Sequence, residues 1–334
     1  CTFTGKYPVA ELAFDTPSFP GQVTLTAFNP LIPLNDKDSS IPAAFFEIAC
    51  RNTSTEFLEF TIAGVCTNPF PGQPTGKNTD DIKSVNQSVN TGGMNGIHMV
   101  PAGIRPENCG SISMLTDAAH TSIQENWFRG AWYDGLAVYW HDLCEPGYFS
   151  NRTFSEKGKP VPGKNDTGIV ASHFTLEAGD EETVRYVISW SFPQASNYWK
   201  PVESSGTCCD GDSCCSDETS WQNYYATLFE TSIDSAVYAL EHWNRLKEDT
   251  FLFRDSLFSS TLPEEVLDAV SANISILKSP TVMRLEDGSF YGFEGCHPGS
   301  GCCEGSCTHV WNYAYALPFL FPRLERSMRD TDYG

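Results

Sequence analysis

The 334-residue sequence is poor in positive charge: 21 Lys and Arg stand against 42 Asp and Glu, a formal net charge of −21. A protein that tracks a nucleic-acid backbone needs clustered Lys and Arg, so nucleic acid is excluded as the expected partner. Long apolar runs are also lacking. The longest nearly unbroken one, Tyr313–Pro322, is about half of what a membrane-spanning helix requires. The Gly-x-x-x-x-Gly-Lys-Ser/Thr phosphate loop, the Gly-x-Gly-x-x-Gly dinucleotide loop, the His-Glu-x-x-His zinc helix and the Gly-x-Ser-x-Gly elbow do not occur, which removes the commonest nucleotide, metalloprotease and serine-hydrolase readings. The seven histidines are dispersed; only His297 and His309 share a neighbourhood. No repeat recurs at a fixed period.

Aromatics and cysteines are plentiful. Eight Trp, 13 Tyr and 22 Phe in a 40% apolar chain describe an ordered protein with a sizeable core. Acidity with many aromatic faces suits a handler of neutral ligands such as sugars. Thirteen cysteines are many for a cytosolic enzyme and predict disulfides in an oxidising compartment. Five Asn-x-Ser/Thr sites, at Asn52, Asn86, Asn151, Asn165 and Asn273, agree with a secreted or cell-surface glycoprotein. The cluster Cys208–Cys215, flanked by Asp210, Asp212, Asp217 and Glu218, also reads as a zinc or calcium loop, and His297 and His309 with Cys296, Cys302, Cys303 and Cys307 as a zinc site. Disulfides are preferred at both, so no metal and no cofactor is expected.

Residues 1–200 read as β. Short segments rich in Val, Ile, Thr, Phe and Tyr (22–28, 44–49, 56–64, 135–140, 168–176 and 183–191) are separated by Pro, Gly and Asn, the pattern of a sandwich. Residues 70–95 read as a polar loop. After the Cys208–Cys215 segment the text turns helical: one helix over 217–247 capped near Ser216-Asp217, and another opened by Thr261-Leu262-Pro263 with Thr261 as N-cap, running to about Leu277. A hairpin is predicted over Val282–Phe293, turning at Glu286-Asp287-Gly288-Ser289. A final helix takes Val310, Tyr313, Ala314, Leu317, Phe321, Leu324 and Met328 on one face. Strands followed by helices point to two domains. The expected organisation is a sandwich over 1–205, a Cys-rich loop and linking helix over 206–258, and the start of a second domain from 259. Because the text opens on strand-like residues and closes on Arg329–Gly334 behind an apolar helical face, the chain reads as a portion of a longer protein.

The most unusual text is Phe290-Tyr291-Gly292-Phe293-Glu294-Gly295-Cys296-His297, followed by a Gly/Cys-rich loop and Cys307-Thr308-His309-Val310-Trp311-Asn312-Tyr313. A carboxylate on a Gly-flanked turn, facing a segment that offers Thr, His, Trp, Asn and Tyr, has the residues of a sugar site: carboxylates carry the covalent and acid/base steps of most glycosidases, and aromatics stack on pyranose faces. By spacing alone the same residues also read as a surface turn acid over core aromatics.

Ser279–Gly295, together with Thr308-His309-Val310-Trp311-Asn312-Tyr313 and Leu317-Pro318-Phe319-Leu320-Phe321-Pro322, resembles glycoside hydrolase family 116, the glucosylceramidase-like retaining β-glycosidases. In the first half Pro20-Gly21-Gln22-Val23-Thr24-Leu25-Thr26, Pro30-Leu31-Ile32-Pro33, Asp38–Pro42 and Trp190-Ser191-Phe192-Pro193 are similar to the same family. The resemblance implies an N-terminal β-sandwich followed by an (α/α)6 barrel, of which this chain would hold the first helices. It implies Glu294 as the nucleophile, with Glu304 in a second Glu-Gly ranked below it, and Thr308, His309 and Trp311 as substrate contacts. Better-known members carry Asp near the position of His309, and their loop equivalent to Cys296–Cys307 is shorter. The general acid/base would be an Asp farther along the barrel, with no counterpart here. The implied partners are a β-glycoside substrate and the rest of the barrel, and this portion alone is expected to be inactive. A competing class is a non-catalytic carbohydrate-binding or structural sandwich, with Trp127, Trp132, Tyr133 and Trp140 as platforms.

Overall fold

A computed structural model describes residues 1–70, 83–102, 110–130, 132–145, 147–152, 165–196, 220–294, 296–297, 300–301 and 310–333. The chain divides into two compact units. The first comprises Cys1–Pro30, Ile41–Ser191 and Phe229–Glu248; the second comprises Leu31–Ser40, Phe192–Leu228 and Asp249–Gly334.

The first unit is built on antiparallel strands. β1 (Thr2–Lys6), β2 (Val9–Phe14), β3 (Gly21–Phe28), β4 (Ala43–Asn52), β5 (Leu58–Thr67), β6 (Lys83–Thr91), β7 (Met94–Ala102), β8 (Ser111–Thr116) and β9 (Thr121–Gln124) are followed by helix α1 (Asp134–Cys144), β10 (Thr167–Leu176) and β11 (Glu181–Ser191). Eight strands form one sheet in the order β1-β2-β3-β4-β11-β8-β7-β6, and three form another in the order β5-β10-β9. Alternation in β11 directs Val184 and Tyr186 into a core shared with Ile97, Met99 and Met114 of the same sheet and Val170 of the smaller one. This is the period-two logic of a sandwich. Tyr186 brings its hydroxyl into that core but places it 2.6 Å from Ser172 Oγ and donates to Ile62 O at 2.9 Å, so burial leaves no orphan.

The sheet's other face meets α2 (Ser232–Glu241) and the start of α3 (Trp243–Phe258). α2 begins in a reciprocal capping box: Thr231 Oγ1 accepts from Asp234 N, and Thr231 N donates to the Asp234 carboxylate at 2.8 Å. Small residues permit close approach. Ser232 Oγ lies 2.8 Å from both Ser111 Oγ and Ser113 Oγ, and Ser189 donates to Ser232 O at 2.5 Å. Beside this serine seam Trp243, 1% exposed, packs on Phe28 and Phe45 with ring centroids 5.5 and 5.0 Å away.

Several sequence expectations change here. Residues 83–91 form a strand instead of a loop. The text hides it because its inward positions are Ser84 and Asn86, held by hydrogen bonds to Phe70 O, Asn68 and Glu125 O instead of by apolar packing. Residues 135–140 are helical, not extended: Tyr139 and Leu143, four apart, pack together against Ile169 and Ala171. The continuous helix over 217–247 is replaced by a short strand, a 3-10 turn (Tyr224–Thr227), α2 and α3, because the cap that operates is Thr231.

The thiols of Cys1, Cys50, Cys66 and Cys144 are free, which corrects the disulfide expectation for these four. Cys50 is fully buried in β4, where its strand neighbours are Val23 and Glu182 and offer no thiol. Burial raises its pKa to about 11. Two sequon asparagines are also structural. Asn52 is fully buried and donates to Glu56 O at 2.7 Å and Leu176 O at 3.0 Å; Asn86 is buried against Asn68 and Glu125. Neither amide is available to a glycan.

The second unit carries the short pair β12 (Gln194–Ser196) and β13 (Ser220–Gln222), the end of α3, α4 (Glu264–Ile274), the hairpin β14 (Val282–Arg284) and β15 (Phe290–Gly292), α5 (Trp311–Leu320) and α6 (Pro322–Tyr333). The segment Leu31–Ser40 straps onto it: Leu34 N donates to Leu320 O at 2.7 Å, and Arg284 bonds Asp36 at 2.6 Å while stacking on Tyr224. The N-cap of α4 is Pro263, not Thr261, and the α-helix ends at Ile274 in a 3-10 turn. The single terminal helix expected from Val310 is two helices, since Pro322 has no amide hydrogen to continue α5. Among the described residues no helix is long and apolar enough to cross a membrane.

Candidate active site

The predicted hairpin is present and sets the geometry of the acidic residue. β14 and β15 pair Val282 with Gly292 and Arg284 with Phe290. The turn closes at Gly288, whose φ of +92° suits glycine, and the Asp287 carboxylate accepts from Ser289 N at 2.8 Å. The ladder extends one step past β15: Phe293 N donates to Thr281 O at 2.8 Å. Phe293 is fully buried, whereas Glu294, the next residue, is exposed. The chain therefore leaves its packed core at Glu294, with the carboxylate on the solvent side.

α5 fixes the same point from the other direction. Tyr313 is fully buried, and its hydroxyl lies 2.7 Å from Phe293 O and 3.0 Å from Thr281 O, donating toward both. One hydroxyl thus ties the ends of both hairpin strands, and the Phe293 carbonyl belongs to the peptide group that enters Glu294. Gly292 lets the ring approach. A Cβ built there would lie 2.9 Å from Tyr313 Cε2 and Cζ and 3.0 Å from Met328 Sδ. The rest of the floor is apolar: Phe290, Leu317, Phe321 and Met328 are buried. Sequence reasoning placed Tyr313 on an apolar helical face and missed what its hydroxyl does; the tyrosine, in place of phenylalanine at a buried position, was the available signal.

Thr308 and His309 lie outside the described residues, as do Glu304 and the Cys208–Cys215 cluster. Trp311 is the first residue of α5; its side chain lies outside the described atoms. The sugar-platform candidates of the first unit separate. Trp127 stacks on Tyr139 at 4.7 Å and is packed, whereas Trp132, Tyr133 and Trp140 are exposed, at 96%, 77% and 62%.

The model of one protein family, described as beta-glucosidase 2, glycosyl-hydrolase family 116 N-term, matches residues 1–246. No curated protein matches the sequence. Among solved structures, a putative kojibiose phosphorylase from human microbiome is 12% identical, with a TM-score of 0.28 over 55% of this chain. The chain spans 18% of that phosphorylase's length. A galactose mutarotase related enzyme from Lactobacillus acidophilus is 8% identical, with a TM-score of 0.30 over 57% of this chain and 72% of its own.

Proposed function

The chain belongs to glycosyl-hydrolase family 116, and from that premise we propose that it is part of a retaining β-glycosidase of the β-glucosidase type, with Glu294 as nucleophile. The observation that carries this reading is the placement of Glu294: an exposed carboxylate one residue beyond a fully buried, doubly hydrogen-bonded strand end. A nucleophile needs such a fixed approach to the anomeric carbon. In the double displacement, a Glu294 oxygen bonds the anomeric carbon as the leaving oxygen departs protonated; water then releases the sugar. Retaining geometry calls for a second carboxyl about 5 Å away. We assign that role to an Asp in the remainder of an (α/α)6 barrel of which α4, α5 and α6 would be the first helices. Thr308, His309 and Trp311 would contact the glycone.

Replacing Glu294 by Gln in the complete protein tests this directly. Hydrolysis of an aryl β-glucoside should vanish with the fold intact. Retained turnover would move the nucleophile elsewhere, Glu304 first. The isolated 334-residue chain should not turn over, because one carboxylate cannot run both steps. An extracellular location accompanies this function. It rests on the nine cysteines other than the four free ones, and counting thirteen reactive thiols in the denatured protein would remove it.

A second reading draws on the solvent-facing Trp132, Tyr133 and Trp140: a sugar-binding surface on the first unit. Retardation of the chain on immobilised β-glucan, lost in Trp132→Ala with Trp140→Ala, would support it.

A further inference from the structure

We propose that Tyr313 is the positioning residue of Glu294, an inference that rests on the nucleophile reading above. The argument begins with the accounting of one peptide group. The carbonyl of Phe293 and the amide of Glu294 form a single rigid plane. The carbonyl side of that plane is held by the Tyr313 hydroxyl at 2.7 Å, inside the core. The plane one residue earlier is held by Phe293 N on Thr281 O at 2.8 Å, and Thr281 O also faces the same hydroxyl at 3.0 Å. The direction in which the backbone delivers Glu294 to the surface is therefore set by a side chain on a different element, α5.

The surroundings fix the hydroxyl in turn. Tyr313 is fully buried, and its ring lies over Gly292, where any Cβ would push it away. A tyrosine needed only for packing would leave its hydroxyl to water or to one nearby acceptor. Here it bridges the two strand ends that flank the carboxylate-bearing turn. Phenylalanine would fill the same space and remove this donor from the Phe293 carbonyl, and with it the tie between α5 and the peptide that enters Glu294. A displacement of about 1 Å at a reacting group costs on the order of 100-fold in rate, so the loss should appear in the chemical step while ground-state sugar binding is kept.

The experiment is covalent labelling of the complete protein with 2-deoxy-2-fluoro-β-glucosyl fluoride. In this step a Glu294 oxygen bonds the anomeric carbon and fluoride leaves with the electron pair of the broken C–F bond. No acid catalyst is required, so the rate reads the nucleophile alone. Tyr313→Phe should lower the maximal inactivation rate about 10- to 100-fold and leave the inhibitor's binding constant within about twofold. Gly292→Ala keeps the hydroxyl but presses on the ring, and should act in the same direction. Leu267→Ala, in α4, should lower thermal stability without changing the inactivation rate. An unchanged rate in Tyr313→Phe, with the label still on Glu294, overturns the proposal and spares the nucleophile reading. Rates that fall equally in Leu267→Ala overturn it too, since the effect would then be general loosening. A wild-type label found on another residue by peptide mapping overturns the nucleophile reading, and the proposal with it.

Discussion

The two units bury polar groups to different ends. In the sandwich, Asn52, Asn68, Asn86, Ser84, Ser113, Ser189 and Ser232 are buried side chains bonded to strands, loops and one another. Their chemistry is spent on holding sheets together. In the second unit the buried hydroxyl of Tyr313 faces two backbone carbonyls, and the carboxylate next to them is left exposed. The polar groups of the first unit stabilise a fold; on the reading proposed above, the tyrosine of the second aims a reactive group. Substitutions should therefore separate cleanly, with losses of stability in one unit and losses of activity in the other.

The sharpest break is Glu294→Gln. Removing a nucleophile costs on the order of 10⁴-fold or more in turnover, and an exposed side chain of equal size changes stability by at most about 0.5 kcal/mol. Steady-state kinetics beside a thermal melt check both halves. A large fall in melting temperature would blur the contrast, since Glu294 would then hold the fold as well.

Trp243→Ala is the opposite extreme. The indole is fully packed on Phe28 and Phe45, and its Nε1 donates to Glu47 at 3.3 Å. Emptying such a site costs about 3–5 kcal/mol. Urea unfolding of the variant should show this loss.

How much of this could be read from the text follows the same division. Strands whose inward residues are apolar, such as β11 with Val184, Tyr186 and Ile188, are legible from alternation. Strand β6 is not, because Ser84 and Asn86 occupy its inward positions and polar residues in a Gly/Asn/Thr-rich stretch look like a loop. Helix α1 reads as a strand because Val138, Tyr139 and Trp140 favour strands, and the spacing of Tyr139 and Leu143 decides otherwise. The hairpin before Glu294 was legible from Asp287-Gly288, whose conformational demand is local. The link from Tyr313 to Phe293 spans 20 residues and leaves no periodic trace. The family motif pointed to the acid; the device that holds its backbone needed the fold.

Asn52→Ala probes the buried amides at intermediate size. It removes the donor to the buried carbonyl of Leu176, one of two donors to the carbonyl of Glu56, and the acceptor used by Ser54 N at 2.9 Å. Unsatisfied buried groups cost about 1–3 kcal/mol. Mass spectrometry of the protein from a glycosylating host should also find Asn52 and Asn86 unmodified. A glycan on either would mean that the strand carrying it is not packed as described.

The smallest effect concerns pH and again belongs to the sandwich. Burial lowers the pKa of His98, whose Nδ1 lies 2.9 Å from Ser113 Oγ. Burial, and then the neighbouring His120, lower that of His173, whose two nitrogens lie 3.0 Å from Thr61 Oγ1 and 2.7 Å from Ser122 Oγ. In the unfolded chain both imidazoles titrate near 6.5, while in the fold they accept a proton only at lower pH. Between those two values the unfolded chain binds more protons, so stability rises with pH across the window. Acidifying from pH 7.5 toward 5.5 should lower the urea midpoint of the first unit, and His98→Gln and His173→Gln should each flatten that slope. An unchanged slope in both variants would show that these imidazoles charge in the folded sandwich as freely as in water.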